Sequence, residues 1–182
     1  MDTHLSDNAL MLKVKDGDFG KMSLIFERHH RALYGFIFHM TGSKEESEDI
    51  VQNLFLRMLN YRHSFAGTGS FKTWMYHLAR NMLRDHFKKN SKKPYMHPVE
   101  NFEEKNAEEY FGDIEKKQEL KTLQMAMENL SIENRELLIL CRYEELKYHE
   151  IADLLGITEG AVKVRVHRAL NQLKSTYLKI AN

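Results

Sequence analysis

Apolar residues recur along this chain at intervals of three and four, with no strand alternation of any strength, so the pattern predicts helices throughout. Leu10, Met11 and Val14 mark a first short helix, with Asp7 as its cap. Asp16-Gly17-Asp18 reads as a turn. A second helix follows, with Phe19, Met22, Phe26, Leu33, Phe36, Ile37 and Met40 as its buried positions, and Thr41-Gly42 ends it. Ser43-Lys44-Glu45-Glu46 is a capping-box pattern, Ser43 the cap and Glu46 reaching back. The helix it opens buries Ile50, Val51, Leu54, Phe55, Met58 and Leu59, and leaves Asp49, Gln52, Asn53 and Arg57 outside that stripe.

Tyr61 to Ser70 has two glycines and few anchors, so it reads as a loop. The strongest periodicity comes next. Phe71, Trp74, Met75, Leu78, Ala79, Met82 and Leu83 share one helical face. The other face shows Lys72, Tyr76, His77, Arg80, Asn81 and Arg84, and the helix runs into Lys88 and Lys89. Trp74 has two readings: core packing, or a half-exposed ring that stacks on a nucleic-acid base. Asn90 to Gly112 holds both prolines, Pro94 and Pro98, then an acidic, weakly apolar run, and reads as a flexible interdomain linker. Helix resumes near Ile114 with Leu120, Leu123, Met127 and Leu130 on its buried side. Ser131 starts another, with Leu137, Leu138, Leu140 and Cys141 inside.

The chain's organising stretch runs from Tyr148 to Leu170. Ile151, Ala152 and Leu155 share one face of a short helix. Gly156 can take the left-handed conformation that stops it, and Thr158 caps the next helix, with Glu159 in its first turn. There Val162, Val166, Ala169, Leu170 and Leu173 form the buried stripe, while Lys163, Arg165, His167 and Arg168 face outward. This fits a DNA-binding helix-turn-helix whose second helix enters the major groove. The plainer alternative is a helical hairpin with a solvated basic face.

A formal net charge of +1 hides segregation. Phe71 to Lys93 holds seven Lys or Arg against one acid, net +6; Glu100 to Glu119 holds eight acids against three Lys, net −5; Gly160 to Lys179 has five Lys or Arg and no acid, net +5. The two basic blocks are candidates for phosphate contact. The single cysteine, Cys141, excludes an internal disulfide and reads as a core thiol. The amino terminus carries two acids and no apolar run, so it is not a signal peptide, and no stretch approaches a membrane span. A cytoplasmic protein fits. His149-Glu150-Ile151-Ala152-Asp153 resembles a zinc-protease helix only until its last position, and no phosphate loop or nucleophile elbow is present. No enzyme, metal or cofactor is expected. The fold class is all-α: a first domain over 1–90, an acidic linker over 91–112, and a second, helix-turn-helix domain over 113–182, winged-helix-like without a wing.

Three stretches together resemble the extracytoplasmic-function (ECF) subfamily of bacterial RNA polymerase sigma factors. Asp49-Ile50-Val51-Gln52-Asn53-Leu54-Phe55-Leu56-Arg57 is similar to the helix with which that family grips the clamp of the polymerase. Phe71-Lys72-Thr73-Trp74-Met75-Tyr76-His77-Leu78-Ala79-Arg80-Asn81 is similar to its promoter-melting helix, and Tyr143 to Leu173 to its second-domain helix-turn-helix. The resemblance implies core RNA polymerase and promoter DNA as partners, an anti-sigma factor as inhibitor, and no membrane insertion. It implies that Asp49, Gln52, Asn53, Phe55 and Arg57 meet polymerase. Lys163, Val164, His167 and Arg168 would face bases of the minus-thirty-five duplex, with Arg165 on phosphate and Thr158 at the helix start; Lys or Arg donating to guanine is a natural pairing. The minus-ten element would be captured as a single strand, one flipped base lying in the loop Phe65-Ala66-Gly67-Thr68-Gly69-Ser70. Gly67, Thr68 and Ser70 would read its edge by backbone and hydroxyl, Phe65 and Trp74 would supply aromatic surface, and Asn81 would read from the helix. Lys72, Arg80 and Arg84 would hold the backbone. The acidic linker would thread toward the RNA exit path, or be a solvated spacer.

Three positions depart from the family pattern. Asn53 stands where Glu is usual, Val164 where a polar residue is common, and Thr68 where a charged or amide residue is frequent. No long carboxy-terminal extension is visible, so no extra sensory domain is expected. The rivals are a self-sufficient helix-turn-helix repressor or activator, which would need neither the Asp49 to Arg57 helix nor a second basic-aromatic helix, and a sigma mimic that sequesters an inhibitor, which would not need Lys163, Arg165 and Arg168.

Overall fold

A computed structural model describes residues 4–90 and 114–181, with side chains from 118 onward in the second stretch. The predicted linker over 91–112 lies outside the described residues. Among these, all regular structure is helical. The chain divides into two compact units, Met1–Glu100 with Asp153–Gly156, and Asn101–Ala152 with Ile157–Asn182.

The first unit packs α1 (Asp7–Lys15), α2 (Met22–Thr41), α3 (Lys44–Asn60) and α4 (Phe71–Asn90). Ser6, rather than Asp7, caps α1: its hydroxyl accepts from the Ala9 N–H at 3.3 Å. Asp7 sits in the first helical turn, where a negative charge meets the positive end of the helix dipole. Leu10, Met11 and Val14 are buried, as their spacing predicts. Gly42 ends α2 at φ +71, a conformation that suits glycine, and its N–H reaches the Phe38 carbonyl at 2.8 Å. Ser43 then caps α3 through the Glu46 N–H at 3.3 Å, and this short link folds α3 back against α2.

The core stripe of α2 runs through Met22, Ile25, Leu33, Phe36, Ile37 and Met40. Phe19 and Phe26 were expected inside, but both are exposed. Phe19 lies in a short 3₁₀ turn before α2, its ring under the Arg62 guanidinium at 5.1 Å. Phe26 sits at the edge of the stripe and stacks on His30 with ring centroids 4.7 Å apart. On α4 the buried sector is wider than its apolar residues suggest. Tyr76 is fully buried, edge-on to Phe36 at 5.2 Å, and Arg80, one turn further, is buried with it.

The second unit contains α5 (Ile114–Glu128), α6 (Ile132–Arg142), α7 (Tyr148–Leu155) as far as Ala152, and α8 (Glu159–Ala181). Arg135 reaches back to cap α5, donating to the Met127 carbonyl at 3.1 Å and to that of Glu128 at 2.6 Å. Ser131 caps α6 through the Asn134 N–H at 3.3 Å. The inward line of α5 is Thr122, Ala126 and Leu130. Leu120, expected on the buried side, is exposed, and Leu123 and Met127 are half-buried on one wall of an open cleft of about 220 Å³. Cys141, expected in the core, is also half-buried.

One polar cluster ties α1 to α2. Arg28 donates to Asp7 Oδ1 at 2.7 Å and to the Leu5 carbonyl at 2.7 Å, while His29 Nε2 lies 2.8 Å from Asp7 Oδ2. Burial pushes the Asp7 carboxyl up, but the Arg28 hydrogen bond and the neighbouring His29 and Arg28 charges outweigh it and hold the carboxyl below its ordinary value. A lowered folded-state pKa gives stability that is present above the ordinary aspartate value and lost as pH falls through the folded one. Asp7→Asn should therefore lower stability near neutral pH by up to about 1 kcal/mol, the scale of a partly exposed pair. The gap to wild type should close below about pH 4. Urea unfolding followed by circular dichroism at neutral and acid pH checks this; a gap independent of pH would mean that the carboxylate charge is not its source.

Candidate nucleic-acid interface

Helices α7 and α8 meet in a tight turn. The Lys147 N–H is bound by Glu150 Oε2 at 2.9 Å, which closes the first turn of α7. Gly156 takes φ +67, and the Ile157 N–H reaches the Ala152 carbonyl at 3.1 Å. Thr158 caps α8: its hydroxyl accepts from the Ala161 N–H at 3.2 Å. These are the turn and cap that the sequence predicts.

The buried line of α8 is Val162, Val166 and Ala169; Leu170 and Leu173 are half-buried rather than enclosed. So narrow a stripe leaves most of the helix circumference open. Lys163, Val164, Arg165, His167 and Arg168 are all exposed on it, Val164 to 50 %. Lys163 pairs with Glu159 one turn earlier at 2.9 Å, and His167 Nδ1 lies 3.3 Å from Asn171 Nδ2. Among the described residues neither Arg165 nor Arg168 has an ion-pair partner. The outcome is a basic surface at the start of a long helix, set beyond a glycine turn.

A second basic surface belongs to the first unit. The loop over 65–70 turns at Gly67, φ +78. Thr68 is exposed, and Ser70, Lys72 and Trp74 are half-buried. The Trp74 indole N–H donates to Ser64 Oγ at 3.2 Å, and its ring tilts against Phe65 at 5.4 Å and Phe71 at 5.9 Å. Trp74 therefore combines both readings, one part packed and one part open. Phe65 does not supply aromatic surface: it is 2 % exposed, because it is the apolar plug between Phe71 and Trp74. Arg80 is likewise 6 % exposed and lies inside rather than along the basic strip. Half-buried Asn81 and exposed Arg84 remain on that strip, with exposed His77 and Lys88 at spacings of three and four. Asn81 Nδ2 lies 3.3 Å from His77 Nδ1. His77 and Lys88 escaped the sequence reading as site residues, although the helical period connects them to Asn81 and Arg84.

The outer face of α3 presents Asp49, Gln52 and Asn53, the last donating to the Asp49 carbonyl at 2.8 Å. Phe55 is buried, its ring 4.8 Å from that of Phe26, and so is not displayed on this face. Leu56 is, at 59 % exposed. It follows Asn53 by three and Gln52 by four, the signal that identifies it. Arg57 is half-buried, 5.4 Å above the Tyr61 ring and 3.6 Å from Asp85.

Comparison with known proteins finds matches in both parts of the chain. Residues 25–93 match the family model of sigma-70 region 2, and residues 120–173 that of sigma-70 region 4. The ECF RNA polymerase sigma factor SigW of Bacillus subtilis is 30 % identical over 173 residues, covering 89 % of this chain and 91 % of its own. The RNA polymerase sigma factor HrpL of Pseudomonas syringae pv. syringae is 30 % identical over 146 residues, covering 78 % and 79 %. The fold resembles that of CnrH, solved in complex with the cytosolic domain of CnrY, at a TM-score of 0.70 and 21 % identity, over 93 % of this chain and 95 % of that one. Two separate basic surfaces, a polar helix face beside one of them, and family matches to both units in order lead to a single conclusion: the chain belongs to the ECF RNA polymerase sigma factors, non-catalytic subunits that bind core polymerase and direct initiation at specific promoters.

Proposed function

We propose that this sigma factor divides its work among three named surfaces. The exposed residues at the start of α8 read the minus-thirty-five duplex: Lys163, Val164, His167 and Arg168 face base edges, while Arg165 holds phosphate and Thr158 fixes the helix start. The loop over 65–70 takes the flipped minus-ten base at Gly67, Thr68 and Ser70, and the strip formed by Lys72, Trp74, Asn81 and Arg84 carries the single strand onward. The polymerase meets Asp49, Gln52, Asn53 and Leu56, with Arg57 at the rim. The observation that carries the reading is the pair of guanidinium groups at Arg165 and Arg168, without an ion-pair partner among the described residues, on a helix whose buried stripe leaves them exposed. Cations without protein partners gain the full benefit of displacing counterions from phosphate.

Val164 offers a methyl surface for thymine rather than a hydrogen bond. Working with bacterial core polymerase places the protein in the cytoplasm. An inhibitory partner belongs to the same proposal. Its support is that CnrH was solved with the cytosolic domain of CnrY, and the sigma factor RpoE of Bartonella quintana with the anti-sigma factor NepR.

The test is transcription in vitro with purified core polymerase on a pool of promoter fragments. Arg168→Ala should cost about 1–3 kcal/mol at one base pair of the minus-thirty-five element and relax selection there. Arg165→Ala should weaken all sequences alike and reduce the salt slope by about one. Unchanged promoter selection by Arg168→Ala would overturn the recognition-helix assignment. A separate experiment addresses α3. Leu56→Glu should weaken association with core polymerase while leaving helicity intact, because the side chain it replaces is exposed; full association by a folded variant would remove Leu56 from the contact.

A further inference from the structure

We infer that helix α1 is a mount for the base-reading loop, with Asn8 and Lys15 as its positioning residues. The inference rests on the proposal that the loop over 65–70 takes a minus-ten base. Helix α1 precedes residue 25, where the match to sigma-70 region 2 begins, so that match assigns it no part in promoter reading. Its contacts give it one.

Three residues of α1 grip the loop. Asn8 Nδ2 donates to the Gly69 carbonyl at 2.7 Å, and Asn8 Oδ1 accepts from the Phe71 N–H at 2.8 Å. Lys15 Nζ donates to the Phe65 carbonyl at 2.7 Å. Between these two holds, Leu12 lies so close to Gly67 that a Cβ there would stand 3.0 Å from Leu12 Cδ2. Asn8, Leu12 and Lys15 are spaced i, i+4 and i+7, so they share one face of α1. Leu10, Met11 and Val14 take the buried side. The contacts fall on residues 65, 67 and 69 and on the first N–H of α4.

The chemistry suits a mount. Asn8 uses both halves of its amide, donor to a carbonyl and acceptor from an N–H, so its orientation is fixed by its partners. The Phe71 N–H is one of the groups that a helix start cannot satisfy internally, so Asn8 caps α4 from 63 residues away. Gly67 is doubly constrained, by its positive φ and by the Leu12 side chain. Helix α1 is itself fastened to α2 through Asp7, Arg28 and His29. Thr68 is left exposed between the two held glycines. A loop that must tell one base edge from another needs its polar groups held within about half an ångström, by partners that are themselves fixed.

The test uses holoenzyme assembled from the full chain and core polymerase. Single-stranded oligonucleotides carry each of the four bases at each position of the minus-ten element, and affinities are read by fluorescence anisotropy. Asn8→Ala and Lys15→Met should each reduce the preference for the best base by about fivefold to tenfold, the scale of one hydrogen bond. Binding to polymerase and to the minus-thirty-five duplex should be retained, and Lys15→Arg, which keeps a donor, should restore most of the preference. A fall in affinity shared equally by all four bases would reveal a merely structural role and overturn the inference. So would wild-type preference in folded Lys15→Met, which decides the matter if Asn8→Ala does not fold. Thr68→Ala and Ser70→Ala separate the two levels. If they alter base preference while the α1 variants do not, only the mount is wrong. If none of the four alters it, the loop assignment falls and the mount with it.

Discussion

The first unit depends on the burial of Phe65. The chain leaves α3, runs through an exposed loop and re-enters helix at Phe71, and such a loop has little reason to hold one shape. Phe65 gives it one. Its ring stands edge-on to Phe71 at 6.0 Å and tilted to Trp74 at 5.4 Å, and an aromatic pair of this kind adds about 0.5–1.5 kcal/mol beyond the area it buries. Phe71 in turn meets His29 at 5.4 Å, and His29 meets Asp7. Helix α1, helix α2, the loop and the start of α4 are thus joined through one aromatic cluster with a polar edge. Of the residues expected to touch DNA, Trp74 is part of this base, while Thr68 and Arg84 are exposed beyond it.

That dependence explains which parts of the protein were legible in its sequence. Helix positions with a strong period were: the buried faces of α1 and α3, the Ser43 cap, the Gly42 stop and the whole turn from Gly156 to Ala161 follow from local rules. Phe65 was not, because a single aromatic in a loop has no period to place it, and exposure for ligand stacking looks the same as a plug. Tyr76 and Arg80 misled in the opposite direction. Both have long apolar stems under a polar tip, so composition puts them outside while packing can take them in. Phe55 is buried, as its place in the stripe predicts, which sits badly with the polymerase contact also expected of it; its neighbour Leu56, about 100° further around the helix, is the exposed one. Asn8 had no local signal at all. Its partners are Gly69 and Phe71, and a cap supplied from so far along the chain cannot be read from neighbours.

In the roles proposed for them, the two units meet DNA with opposite physical problems. Duplex reading asks for a stiff rod with a narrow anchored side, and α8 is one: three small buried residues hold it, and Gly156 stops α7 so that the rod begins at a defined residue. Single-strand reading asks for an open surface that admits bases leaving their stack, which a rod cannot offer. A loop can, but an unrestrained loop loses its selectivity to its own motion. The first unit resolves this by pairing a loop with a fixed plug beneath it and a helix alongside.

Charge is distributed on α8 in a way that ranks its cations. Lys163 is held by Glu159 at 2.9 Å, so reaching a base or phosphate means leaving a carboxylate. That exposed pair is worth only about 0.5 kcal/mol and is further weakened by salt, so it delays Lys163 more than it prevents it. Among the described residues Arg165 and Arg168 have no such partner to leave. Their planar guanidinium groups also match two acceptors at once, on guanine or on phosphate, where a lysine acts as a point charge. The two arginines are therefore the cations with the least to give up and the most geometry to gain, and in the proposed complex Lys163 would follow once the helix is seated in the groove.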